Sequence, residues 1–293
     1  MKKLPLLLIF LAGSLWGMMG IFVRLLTAAG LADMPIAFLR SAGTVILLLP
    51  ILLLTDRSLF RVRLRDLWVF VGSGVASITF FNFCYFYAIE HTSLSVAAVL
   101  LYTAPIFVVT LSALLFHERI TKRKIFALLL CAAGCVLVSG VLTDGRFTLS
   151  GILAGVGAGL GYALYSIFSR IALTRGYRTL TVLFYTFLFS TLATAFFADL
   201  PRTLTTVAPS PRLWLFTFLL AVVVTVAPYL LYTAGLSGTD NGTASIVASV
   251  EPVSATLVGL FVYGELPTLL EIAGIFLVLS AILLLNIRQK ETS

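Results

Sequence analysis

Apolar residues run along this chain in stretches about as long as a bilayer is thick, separated by short polar gaps. Crossing the hydrocarbon core takes roughly 20 apolar residues in a helix, because no water is present there to satisfy backbone amides. Ten stretches meet that need, at about 4–26, 34–55, 67–88, 93–116, 125–142, 150–173, 179–198, 213–235, 242–263 and 270–287. The pattern predicts an all-α integral membrane protein of ten transmembrane helices. The first stretch follows a basic pair, as in a signal peptide, but its apolar run is too long and no small-residue cleavage site follows. It is read as a retained first span.

The chain also repeats itself. The segment AGSLWGMMGIFVRLL (Ala12 to Leu26) resembles AGLGYALYSIFSRIA (Ala158 to Ala172) at a shift of 146, which pairs Arg24 with Arg170. A shift of 147 pairs Tyr85 with Tyr232, Thr92 with Thr239, Ala97 with Ala244, Pro105 with Pro252, Glu118 with Glu265 and Thr121 with Thr268. Residues 1–142 and 150–287 are therefore expected to form two repeats of five spans each. An odd number of spans inverts the second repeat relative to the first, and such pairs commonly place a substrate site where they meet.

Composition agrees with a membrane setting. Hydrophobic residues make up 60% of 293 positions and charged residues 11%, against roughly 25% charged in soluble domains. The net charge of +8 does not mark a nucleic-acid binder, because the basic residues lie in short gaps rather than on one face. Their distribution fixes orientation instead, since positive loops stay in the cytoplasm. With the N-terminus inside, fourteen of the twenty Lys and Arg fall on the cytoplasmic side and three (Arg146, Arg202, Arg212) outside, leaving Arg24, Arg40 and Arg170 within spans. Both termini are expected in the cytoplasm.

Chemistry-bearing residues are few. Cys84, Cys131 and Cys135 sit in apolar runs as packing residues, and His91 and His117 fall at opposite ends of the fourth span. No nucleophile, metal cluster or phosphate loop appears, so neither catalysis nor a cofactor is expected. Glu251 stands out, about ten residues into the ninth span, where an ionised carboxylate is costly and usually functional. Aromatic residues gather near the predicted centre: Trp16, Phe81, Tyr85, Tyr102, Tyr162, Tyr165, Tyr229 and Tyr232. Phe81, Asn82 and Tyr85 are read as sharing one helix face. Pro105 and Pro252 lie inside spans as kinks. Arg24 and Arg170 are read as snorkelling anchors, as is Arg40, for which pairing with an anionic group is the alternative, and Glu118 and Glu265 as structural carboxylates at opposite faces, with gating the alternative. Gly13 and Gly17, with Gly155, Gly159 and Gly161, give the small-residue spacing that lets helices approach.

The phrase around Leu15-Trp16-Gly17, the Phe38-Leu39-Arg40 of the second span, TAPIFVVTLSALLFHERIT and VEPVSATLVGLFVYGELPT resemble the drug/metabolite transporter superfamily, specifically its ten-helix members with two EamA domains. The resemblance covers nearly the whole chain and implies a secondary transporter of the cytoplasmic membrane, often an exporter of amino acids or related metabolites. It also implies a cavity lined from the third and fourth spans, here by Asn82, Tyr85 and Tyr102. Ala104, with no tryptophan in that part of the fourth span, departs from the pattern of bulky-aromatic exporters. The resulting expectation is alternating-access export of an amino acid or related zwitterion, bound by Glu251, Asn82, Tyr85, Tyr102, Trp16, Tyr162 and Tyr165. Organic-cation or drug efflux is the alternative, and a membrane-embedded lipid enzyme the weaker third. Expected partners are a small-molecule substrate, the bilayer and a coupling proton or counter-substrate, with the chain a monomer or weak homodimer. A fluorescent reporter fused after Ser293 should behave as cytoplasmic; a reporter exposed on the far side would break the count of ten spans.

Overall fold

The computed structural model describes residues 3–141 and 148–286. Lys2, Arg146, Arg288 and Lys290, which enter the orientation argument, lie outside the described residues, as do both chain ends and the outer limits of the two expected repeats. Among the described residues the fold is helical and contains no strand. Seven helical rods are long and apolar enough to cross a membrane: α1 (Leu4–Ala28), α2 (Asp33–Thr55), α3 (Leu64–His91), α4 (Leu94–Phe116), α6 (Leu149–Thr174), α8 (Pro211–Leu236) and α9 (Asn241–Tyr263). Three shorter rods complete the set of ten: α5 (Lys122–Val138), α7 (Thr179–Ala195) and α10 (Leu269–Asn286). The chain bends by 108° after α7 into a short helix, Leu200–Val207, where the sequence suggested only a connection.

Several rods are interrupted, and at matching places. α4 breaks between Leu101 and Ala104 and α9 between Ala248 and Glu251, with Pro105 and Pro252 in the first turn of each following segment. Proline there gives up an N–H that a helix start leaves unpaired anyway, so the expected kinks take the form of breaks. α1 breaks likewise between Trp16 and Met19. α3 and α8 instead loosen into π-helical turns at Gly72–Thr79 and Val222–Val226. Each is held by a threonine reaching back five residues, Thr79 to the Gly74 carbonyl at 2.9 Å and Thr225 to the Leu220 carbonyl at 3.0 Å. Hydrophobicity alone carries no trace of these turns.

Close backbone approach is concentrated at glycine. A methyl group at Gly134 of α5 would lie 2.8 Å from the Gly274 carbonyl of α10, and one at Gly274 2.7 Å from the Gly134 carbonyl. On α1, a Cβ at Gly17 would stand 2.6 Å from the Glu251 carbonyl oxygen, so the break in α1 rests directly on the break in α9. Gly17→Ala should lower the apparent melting temperature of purified protein, because overpacking a tight contact costs about 1–3 kcal/mol. Gly20→Ala, where a Cβ meets nothing within 4 Å, should leave it unchanged.

Candidate functional site

Glu251 is the first residue of the second half of α9. A helix start carries unpaired amides and the positive end of the peptide dipoles, an environment that favours a carboxylate. Its neighbours arrive from two other rods. The Tyr162 hydroxyl of α6 donates to Glu251 Oε2 at 3.2 Å, and Tyr102, at the break in α4, lines the same cleft with Ser245 and Ser249. A second cleft adjoins it through Tyr162 and is walled by Trp16, Phe81, Tyr165, Tyr229 and Tyr232. Both clefts are narrow, admitting little more than a water molecule.

The aromatic rings pack edge to face, the arrangement their quadrupoles prefer. Trp16 meets Tyr162 at 5.9 Å and Tyr229 at 5.1 Å between centroids. Its indole N–H, although buried, has no hydrogen-bond partner, which leaves a donor in the wall of the cleft. Phe81 stacks on Tyr85 at 5.6 Å and meets Tyr162 at 6.1 Å. Glu251, Tyr162, Tyr102 and Trp16 therefore stand together, with Phe81 and Tyr85 stacked beside Tyr162.

Two expected residues have their polar tips bound by other rods. The Tyr165 hydroxyl is 2.6 Å from the Thr233 hydroxyl, and the Tyr232 hydroxyl 2.5 Å from that of Ser166, which ties α6 to α8. Asn82 stands about 100° round the helix from Phe81, and its amide oxygen accepts from Arg40 of α2 at 3.3 Å. Arg40 is 4% exposed and so does not snorkel. The signal available in the sequence was a guanidinium some six residues inside an apolar run, which fits a buried site as well as an anchor.

Most ion pairs between the two halves lie at the end of the bundle that carries the basic loops. The start of α9 is held from both sides there. Glu118 accepts from the Asn241 and Gly242 amides at 2.9 and 3.3 Å, while Arg170 donates to the Asn241 side chain at 2.8 Å and to the Thr239 carbonyl. Lys124 adds an ion pair to Asp240 at 2.7 Å. Burial works to raise the pKa of the Asp240 carboxyl, but Lys124 and the Thr243 amide and hydroxyl outweigh it and hold the group below the usual carboxylate range. Arg175 and the Tyr177 hydroxyl bind Asp66 nearby.

The opposite end differs. Glu265 and Arg24, the repeat partners of Glu118 and Arg170, bond each other directly at 3.1 Å, both more than half exposed, with Arg24 also over the Tyr263 ring. The start of α4 is not gripped between them, and it lacks the packing against α9 that the start of α9 has against α4. In a background without the native cysteines, a Ser245→Cys thiol should react slowly with a maleimide, since Ser245 is 4% exposed. Adding Glu118→Gln should speed that reaction about two- to fivefold, the population change expected from losing about 0.3–1 kcal/mol of charge at a helix start; an unchanged rate would mean that Glu118 does not hold this end closed.

A model of the EamA-like transporter family matches residues 3–140 and again 149–287. An uncharacterized transporter of Archaeoglobus fulgidus is 31% identical over 277 residues, 94% of each chain. The pseudopaline exporter CntI of Pseudomonas aeruginosa is 27% identical over 294 residues, 98% of each chain. A solved crystal structure that is 21% identical superposes with a TM-score of 0.78 over 96% of both chains, a likeness that bears on the fold.

Proposed function

The chain belongs to the EamA-like transporter family, a multi-pass membrane transporter rather than an enzyme, and on that premise we propose that it is a secondary active exporter of small amine-bearing metabolites. Amino acids and related zwitterions are the substrates its centre suits best. The observation that carries this reading is Glu251, a carboxyl group at the break of α9 whose hydrogen-bonding partner is a single tyrosine hydroxyl. A lone acid at that depth is costly, and a substrate ammonium or a coupling proton would offset the cost. Tyr102, Tyr162 and Trp16 supply ring faces beside it, and such faces attract cations. The name of the Pseudomonas aeruginosa relative, a pseudopaline exporter, supports outward movement of a small metabolite.

Narrow clefts fit alternating access, because a substrate would enter only as the half-helices on either side of the breaks part. The grip on the start of α9 and the looser contacts at the start of α4 supply two ends that can open in turn. Under this reading the family's inverted repeats give both states from one set of contacts. Organic-cation efflux is the second reading, favoured by the ring cluster around Trp16.

Glu251→Gln separates these ideas from a structural carboxyl. Glutamine keeps the shape and loses the charge, so the protein should fold with a melting temperature close to that of the parent. Removing a charge-assisted contact of about 1.5–3 kcal/mol should cut counterflow of amine-bearing substrates in proteoliposomes at least about tenfold. Normal transport across the acid-to-neutral range would make the carboxyl structural, and loss confined to quaternary cations would favour drug efflux.

A further inference from the structure

Arg40 is the most buried guanidinium among the described residues, and its contacts do not match its charge. It is 4% exposed, and among the described residues none of the ion pairs includes it. One terminal nitrogen faces the Met19 sulfur at 3.5 Å and the other donates to Asn82 Oδ1 at 3.3 Å. Both acceptors are neutral, and a thioether is a weak one. Among the described residues the Arg40 Nε–H has no partner, and neither has the buried Asn82 Nδ2. A guanidinium carries five N–H donors and an amide two. The pair therefore forms a buried cluster rich in donors and poor in acceptors, held between α2 and α3.

Such a cluster fits an anion. A buried charge without a counter-charge is costly, and an unpaired buried donor adds to that cost. A carboxylate fits better than a point anion, because its two oxygens match the planar fork of arginine. The cluster also lies next to the central clefts. Asn82 adjoins Phe81, which walls the aromatic cleft together with Tyr229 and Trp16, and Trp16 in turn meets Tyr162 beside Glu251.

We propose that Arg40 and Asn82 form the carboxylate-binding pole of the substrate site, so that the transported molecule carries an acid group at one end and its amine toward Glu251. This rests on the reading of Glu251 as the amine pole, and it assigns the acid end of such amino acids and zwitterions to two named residues. Quaternary ammonium drugs without an acid group would leave the Arg40 cluster unmatched.

The test uses purified full-length protein, its thermal stabilisation, and four probes: leucine, 6-aminohexanoate, 4-methylpentanoate as an acid without an amine, and isopentylamine as an amine without an acid. Ligands that bind the folded form raise its melting temperature by mass action. At least one of the three acids should stabilise the parent, and Arg40→Gln should weaken that response at least about tenfold in apparent affinity, as expected for losing a charge-assisted bond. Arg40→Gln risks misfolding, so Asn82→Asp provides an independent arm. It places a carboxylate beside Arg40, and should raise the melting temperature of the free protein while abolishing its response to acids and sparing that to isopentylamine. A parent that no acid stabilises, or an Asn82→Asp protein that responds to acids as the parent does, overturns the proposal. Failure of isopentylamine alone, with the acid response intact and dependent on Arg40, would sink the amine pole at Glu251 and leave the carboxylate pole standing.

Discussion

Every backbone amide inside the bilayer must find its partner within the protein, and the rest of this molecule follows from how that rule is kept and where it is relaxed. Ten apolar rods keep it. At their middles the rule is relaxed: α1, α4 and α9 are interrupted and α3 and α8 widen into π turns. Irregular backbone at membrane depth is tolerated only where protein or a water-filled space satisfies it. The breaks of α1 and α9 accordingly face each other, with Gly17 of α1 seated on the Glu251 carbonyl, while the break of α4 lies against the unbroken α6, with Gly159 against Thr103 and Leu100. Glycine is required at these two places because a side chain would fill the space into which the interrupted backbone fits. The same relaxation creates the helix start on which Glu251 sits.

The two ends of the bundle show what the repeat does with one set of residues. An arginine and a glutamate recur in each half, Arg24 and Glu265 at one end, Arg170 and Glu118 at the other. At the basic end they clasp the first turn of α9, where the glutamate meets free amides and the arginine meets a free carbonyl and an amide oxygen. At the far end they satisfy each other in the open. A solvent-exposed pair of that kind is worth little, about 0–1 kcal/mol, so exchanging it for a clasp on the first turn of α4 would cost little. Under the proposed alternating access, such a near-balance would let one end close as the other opens.

How much of this is legible in the sequence depends on which property carries the signal. Hydrophobic run length marks the ten rods, because the bilayer imposes one length on all of them. Proline marks the breaks in α4 and α9, since it cannot donate within a helix. Pro201 likewise stands in the first turn after the bend that follows α7, but the π turns leave no such mark: they depend on Thr79 and Thr225 bonding carbonyls five residues back, and threonine occurs as freely in unbroken helix. Within the site, Glu251, Tyr162, Tyr102 and Trp16 are legible as polar or aromatic residues too deep for lipid. Asn82 and Tyr165 share that depth, but their partners, Arg40 and Thr233, come from other rods, and only tertiary packing decides which way a polar tip turns. Arg40 shows the ambiguity most plainly. Six residues from a helix end, a long basic side chain can reach either headgroups or the interior, and the neutral acceptors that hold it inward, Met19 and Asn82, lie far away in sequence.

Opposite charges buried in one bundle would ordinarily be expected to pair, since attraction grows as the dielectric falls. Among the described residues Glu251 and Arg40 do not. Glu251 is fixed by its place at the start of a half-helix and by the Tyr162 hydroxyl, Arg40 by Asn82 and Met19, and Tyr229 with Trp16 stands in the aromatic wall near both. If the two met, each would satisfy the other and neither would attract a ligand. Kept apart by the ring wall, each remains a buried ionisable group without a counter-charge, a cost that the apolar packing of the surrounding rods must offset. On the proposed reading of the site, a molecule that reaches both would remove the two costs at once, and its binding would favour closure of the bundle around it.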